Sequence, residues 1–176
     1  MKIKLRLFGF LLLSCVCFGC GYTTRTTLPG NFKTIYIEDF SNEITFTTEK
    51  VRDVYFPLLE IKVRNSIVDR FMFDGYVRVV DKDDADLILK GNLKGYQRDA
   101  LRYTDNDDVE EYRVRIIVAL ELIDVKNQEI AWSEAGFAGE ATYFITGSQA
   151  TTEESAVNNA IIDLAKRVVE RTVEDW

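Results

Sequence analysis

The sequence predicts an α+β domain built as a two-layer sandwich. Two amphipathic helices pack on one face of a mostly antiparallel four- to five-stranded sheet, in the order β-α-β-β-β-β-α. Three observations carry this. Apolar residues alternate over 86–98 and 112–122, the period of a half-buried strand. Two stretches, 57–74 and 151–176, repeat apolar residues at the three- and four-residue spacing of a helix with a buried stripe. Two such helices need one apolar sheet face to cover, and a two-layer sandwich supplies it.

The chain opens with a different kind of segment. Lys2, Lys4 and Arg6 precede an apolar run from Leu7 to Phe18, followed by Gly19-Cys20. A basic start, a short apolar run and a small residue form an export signal. The run is too short for a bilayer, which takes about 20 residues. A cysteine directly after the small residue predicts lipoprotein processing: the thiol takes a diacylglycerol, the chain is cut before it, and the new N-terminus is acylated. Cys20 is the expected lipidation site. Cys15, after Leu12-Leu13-Ser14, is the alternative, and a plain secretory signal or a single-span anchor also stays open. The expected division is a signal peptide over 1–19, a tether over 20–31 and one domain over 32–176.

Removing 19 of the 176 residues leaves 157, one domain with room for a real core. The full chain carries a net charge of −7, and loss of Lys2, Lys4 and Arg6 takes it three lower, to −10. Phosphate backbones repel such a domain, so no nucleic-acid partner is expected. The chain has no histidine, and its mature form keeps one cysteine, the lipidated one. Nucleophile–histidine catalysis, imidazole or thiolate zinc sites and an internal disulfide are thereby excluded. No cofactor is expected beyond the covalent lipid.

Thr23 to Asn31, with Pro29-Gly30, reads as a tether or turn. Lys33 to Asp39 is a short strand rich in β-branched and aromatic residues, and Phe40 to Asp53 reads as a surface loop. Pro57 fits the first turn of a helix. Leu58, Ile61, Val68 and Met72 form its apolar stripe, with Val63, Ile67 and Phe71 beside them. Asp74-Gly75 ends it with a left-handed cap, and Tyr76 to Val80 follows as a strand. Strand, helix and strand in succession suggest a parallel crossover. Asp81 to Asp86 reads as a solvated turn, since its spacing does not match a calcium loop. Asp86–Arg98, Tyr112–Leu122 and Glu129–Phe137, the last extending toward Tyr143, form an antiparallel meander. Tyr103 to Glu111 is an acidic, mobile tip, and Lys126-Asn127 makes the second turn. Thr151 and Glu154 form a capping box for the last helix. Val157, Ile161, Leu164 and Val168 make its buried stripe, and Trp176 packs back on the body.

Function is sought on the sheet face that the helices leave open. Straight alternation places Lys90, Lys94 and Arg98 on that face with Arg113 and Arg115, a basic ladder in an acidic domain. It reads either as a contact surface for an anion, a lipid phosphate or an acidic partner wall, or as a solvated face that keeps a sheet edge soluble. Arg102 and Tyr103 stand at the tip beside Asp105, Asn106, Asp107 and Asp108. With no apolar pocket to separate their pKa values, the tip carboxylates do not form a catalytic pair, and no enzyme is expected.

Several of these pieces together resemble the lipopolysaccharide-assembly lipoprotein family LptE. They are Cys20-Gly21-Tyr22, Leu28-Pro29, Ile35-Tyr36-Ile37 and Ala85 to Gly91. The stretch from Leu122-Ile123-Asp124 to Glu129-Ile130-Ala131-Trp132 and a last helix with Ala160, Leu164-Ala165 and Trp176 complete the likeness. It implies a lipid-anchored protein on the periplasmic face of the outer membrane. Such a protein plugs one LptD-type β-barrel, helps it assemble and helps deliver lipopolysaccharide to the cell surface. Gly21 after Cys20 is compatible with outer-membrane sorting. The resemblance also implies a lipopolysaccharide contact through a basic loop residue, here Arg102. The loop from Thr142 to Ala150 has no lysine or arginine, a departure from the family pattern. The alternatives are a periplasm-facing binding module for a small ligand or cell-wall fragment, and a subunit of another outer-membrane secretion assembly.

Overall fold

The computed structural model describes residues 32–44 and 58–174. The leader, Cys15 and Cys20, the tether over 20–31, Pro57 and Trp176 lie outside the described residues. The elements are β1 (Thr34–Ile37), β2 (Ser41–Asn42), α1 (Leu59–Asp74), β3 (Arg78–Val79), β4 (Leu87–Tyr103), β5 (Val109–Asp124), β6 (Glu129–Phe144) and α2 (Glu153–Glu174). Their sheet has six strands in the order β3-β1-β4-β5-β6, with β2 also paired to β4. It is mixed: β1 is parallel to β3 and β4, β2 is parallel to β4, and β4-β5-β6 is antiparallel. The expected strand count and direction therefore hold only coarsely. The extra strand is β2, a two-residue strand inside the expected surface loop, and the mixed direction comes from β1 and β2, which run parallel to the strands they pair with.

The long strands carry the inward row. Leu87, Leu89 and Leu93 on β4 and Val114, Ile116, Val118, Leu120 and Leu122 on β5 are buried in one core with the apolar stripes of both helices. On α2 that stripe is the expected one, Val157, Ile161, Leu164 and Val168 with Ala165, Val169 and Val173. The helix comes so close to β6 that a Cβ on Gly139 would lie 2.4 Å from the Ala160 carbonyl oxygen. Glycine is what permits that approach. Gly91 plays the same part beneath the Phe40 ring.

The expected stripe of α1 is displaced. Leu59, Val63, Ile67 and Phe71 face the core, whereas Leu58, Ile61 and Met72 are exposed. This helix carries apolar residues on two opposite sides, so spacing alone does not single out the buried one. Its end is as expected: Gly75 is left-handed, with φ 68°, and its N–H donates to the Phe71 carbonyl at 3.0 Å. The cap of α2 is Thr152 rather than Thr151. Its hydroxyl accepts from the Ser155 N–H at 3.1 Å, so Glu154 is not the capping partner. The tip is also tighter than expected. Strands β4 and β5 run to Tyr103 and from Val109, joined by a turn in which the Thr104 N–H donates to the Asp108 carbonyl at 2.8 Å. Asp107 takes a left-handed conformation there, which aspartate tolerates.

Asp86 does more than solvate a turn. One of its carboxylate oxygens accepts the N–H groups of Lys33 at 2.8 Å and Thr34 at 3.0 Å, tying the start of β1 to β4. The N–H bond from Lys33, aided by Thr34, holds its pKa below the ordinary carboxylate value despite partial burial.

Candidate contact surface

The sheet face opposite the helices is the candidate surface, and a β-bulge decides which residues reach it. Leu93 pairs with Val118, but the next paired residue on β4 is Gly95, opposite Ile117; Lys94 is the extra residue. One inserted residue exchanges the two faces of a strand. Before the bulge Lys90 stands on the open face opposite Glu121; beyond it Gln97 and Asp99 take that face, opposite Arg115 and Arg113. Arg98 therefore does not join the ladder. It pairs with the inward residue Val114 and lies on the helix side.

There it belongs to a polar network at the start of α2. Arg98 Nη1 donates to Glu153 Oε2 at 2.6 Å, Tyr143 donates to the same oxygen at 3.3 Å, and the Tyr96 hydroxyl donates to Oε1. The Arg98 guanidinium lies 4.9 Å from the Tyr112 ring centroid, and Tyr112 stacks on Tyr143 at 5.7 Å. Burial raises the Tyr96 and Tyr143 pKa values, and the Glu153 carboxylate raises them further. For Arg98 burial works downward, but the Glu153 bond prevails and its pKa is raised. The network fixes the helix start against the upper sheet. Sequence spacing did not reveal it, because Glu153 lies 55 residues from Arg98 and 57 from Tyr96.

The rest of the ladder is on the open face but not as free charge. Asp99 stands 3.1 Å from Arg115 and 3.9 Å from Arg113, and Lys90 is 4.0 Å from Glu121. Lys94 pairs with Glu43 across to the residue after β2. Arg102, at the tip, meets Glu111 at 3.5 Å and lies over the Phe144 ring at 5.4 Å, while 59% of its side chain stays exposed. The open face is thus an alternation of cations and carboxylates. Between β4–β6 and the turn after β1 lies an open groove of about 370 Å³ lined by Glu38, Asp39, Lys90, Asn92, Glu121 and Ser133. Its lining is charged and polar, unlike the apolar concavity that suits a small-ligand module. Among the described residues no group of three or more Asp, Glu, His or Cys is placed to hold a metal ion, and no helix is long and apolar enough to cross a membrane.

Solved structures share the fold. The protein XCC0632 from Xanthomonas campestris aligns with a TM-score of 0.56 at 14% identity, covering 81% of this chain and 84% of that one. An uncharacterized lipoprotein B from Nitrosomonas europaea aligns with a TM-score of 0.54 at 15% identity, covering 87% and 90%. A minor lipoprotein from Acinetobacter baumannii gives 0.50 at 14% identity, covering 82% and 94%. No curated protein matches the chain by sequence. The family model described as LptE, lipopolysaccharide-assembly, matches residues 32–175. That span takes in every element of the sandwich, and the chain therefore belongs to the LptE family of non-enzymatic lipopolysaccharide-assembly lipoproteins.

Proposed function

We propose that this protein is an outer-membrane lipoprotein, anchored through Cys20 on the periplasmic side, that plugs an LptD-type β-barrel and assists its assembly as one subunit per barrel. The family match over residues 32–175 carries this reading. The open sheet face supports it. Large barrels have polar interiors, and a surface of alternating charge suits such a wall better than an apolar face would. Arg113, Arg115, Lys90 and Lys94 are the contact candidates on or beside that face, and Arg102 is the candidate for a lipopolysaccharide phosphate. Arg98 contributes indirectly, by holding α2 to the upper sheet. Affinity capture of the tagged protein from detergent-solubilised outer membranes tests the plug role. A large β-barrel recovered in equal amount supports it. Capture of the intact lipoprotein with no barrel overturns it.

A further inference from the structure

Three large apolar side chains stand exposed within five residues at the carboxyl end of α1: Met72 at 67%, Phe73 at 82% and Tyr76 at 62%. Scattered single exposures are ordinary, but a contiguous patch marks a contact site. The patch has a mixed charged margin, in which the Asp86 carboxylate lies beside Lys33. Arg70 lies 5.6 Å from the Phe73 ring centroid and is bonded to Asp74 at 2.9 Å. Lys33 and Arg78, both exposed, are joined through their backbones, the Arg78 N–H donating to the Lys33 carbonyl at 2.9 Å. Lys33 follows Phe32, the first of the described residues, and Tyr76 lies two residues from Arg78.

We propose that this end of the domain is a membrane-contact face, with Met72, Phe73 and Tyr76 seated in the bilayer interface and Lys33 and Arg78 at the lipid phosphates. The inference rests on the anchoring reading above. Only 11 residues lie between Cys20 and Phe32, so the anchored lipid lies within roughly 40 Å of Phe32, beside this patch, even with the tether fully stretched. The bilayer is the surface that such a tether always presents to it. Aromatic and apolar side chains flanked by cations suit the interface between acyl chains and headgroups. The patch and the hairpin tip at Tyr103 lie at opposite ends of β4, so lipid docking leaves the tip and the upper sheet free.

The lipidated protein has no free thiol, which permits a single-site test. Met72→Cys and Asn159→Cys variants are labelled with an environment-sensitive dye and reconstituted in vesicles of phosphatidylethanolamine with a minority of phosphatidylglycerol. The dye at 72 is expected to show blue-shifted emission and quenching by chain-brominated lipid. The dye at 159, on the exposed side of α2 near its start, is expected to keep the emission seen in water. Phe73→Ser combined with Tyr76→Ser is expected to abolish the shift at 72. Water-like emission at 72 in protein whose mass shows the acyl chains overturns the membrane face and leaves anchoring intact. A shift that arises only when barrel protein is added also overturns it, in favour of a protein contact. A mass without acyl chains overturns the anchoring and this inference together.

Discussion

Glu153 accepts from three donors at once, so its loss costs more than one ion pair. Glu153→Gln leaves the Arg98 guanidinium in a part-buried site without its counter-charge. A penalty of about 1–3 kcal/mol is expected, read as a shift in the urea midpoint. The tyrosines add a pH signature. Burial and Glu153 raise Tyr96 and Tyr143 above the ordinary value of 10.0. The folded state therefore keeps these protons where the unfolded chain releases them. Their contribution to stability is complete below pH 10 and declines as pH rises beyond it. Tyr96→Phe should flatten that alkaline decline. Asp86 works in the opposite sense. Its folded pKa lies below the ordinary 3.8 because the Lys33 and Thr34 N–H groups favour the anion. Its contribution is present above that value and is lost as pH falls through the folded pKa. Asp86→Asn should flatten the acid limb of the stability curve.

At the level of single elements, the bulge at Lys94 is the feature with the largest reach. Deleting Lys94 removes the extra residue but keeps the pairing on either side: Gly95 then follows Leu93 in straight alternation, Gln97 stays on the open face and Arg98 stays on the helix side. The Glu153 network is kept. The deletion should therefore lower the melting temperature little beyond Lys94→Ala, whereas inserting an alanine between Gly95 and Tyr96 exchanges the faces again, sends Arg98 outward and should lower it well beyond either. Gly139→Val tests the other close contact. A side chain there meets the Ala160 carbonyl and the Leu164 backbone N at 2.4 and 2.5 Å, so α2 must lift from β6. A loss of about 1–3 kcal/mol is expected in chemical denaturation. These elements also show what the sequence could convey. The stripe of α2 and the alternation of β5 were legible because each concentrates its apolar residues on one side, with Ile162 on α2 and Ile117, Ala119 and Ile123 on β5 as the exceptions. The stripe of α1 was not, since apolar residues occupy both sides. Nor was the face of β4 beyond Leu93 legible, because a bulge is recorded in no composition; Gly95, just after it, was the available signal. Arg113 and Arg115 were legible as one surface because β5 stays in step there. Their counter-charge was not, because Asp99 reached them only through the face exchange on β4.

The whole molecule presents an acidic body whose open sheet face is internally paired, and this bears on how a partner is held. A barrel wall that engages Arg113 and Arg115 must compete with Asp99, which already lies 3.1 and 3.9 Å from them. These pairs are half exposed, so their intramolecular energy is small, about 0–1 kcal/mol. A partner carboxylate in a drier contact can outbid it. Two opposite outcomes follow if the face is the contact. Asp99→Asn frees both guanidiniums and should tighten barrel association. Arg113→Glu with Arg115→Glu should weaken it and raise envelope permeability to large antibiotics. Neither change touches the core, so thermal melting should move little, which separates a lost contact from a lost fold. Both effects should shrink as ionic strength rises, because surface charge is screened over about 8 Å at physiological salt. Equal barrel recovery from all variants at low salt would retire this face as the site of contact and shift the search to the hairpin tip around Arg102.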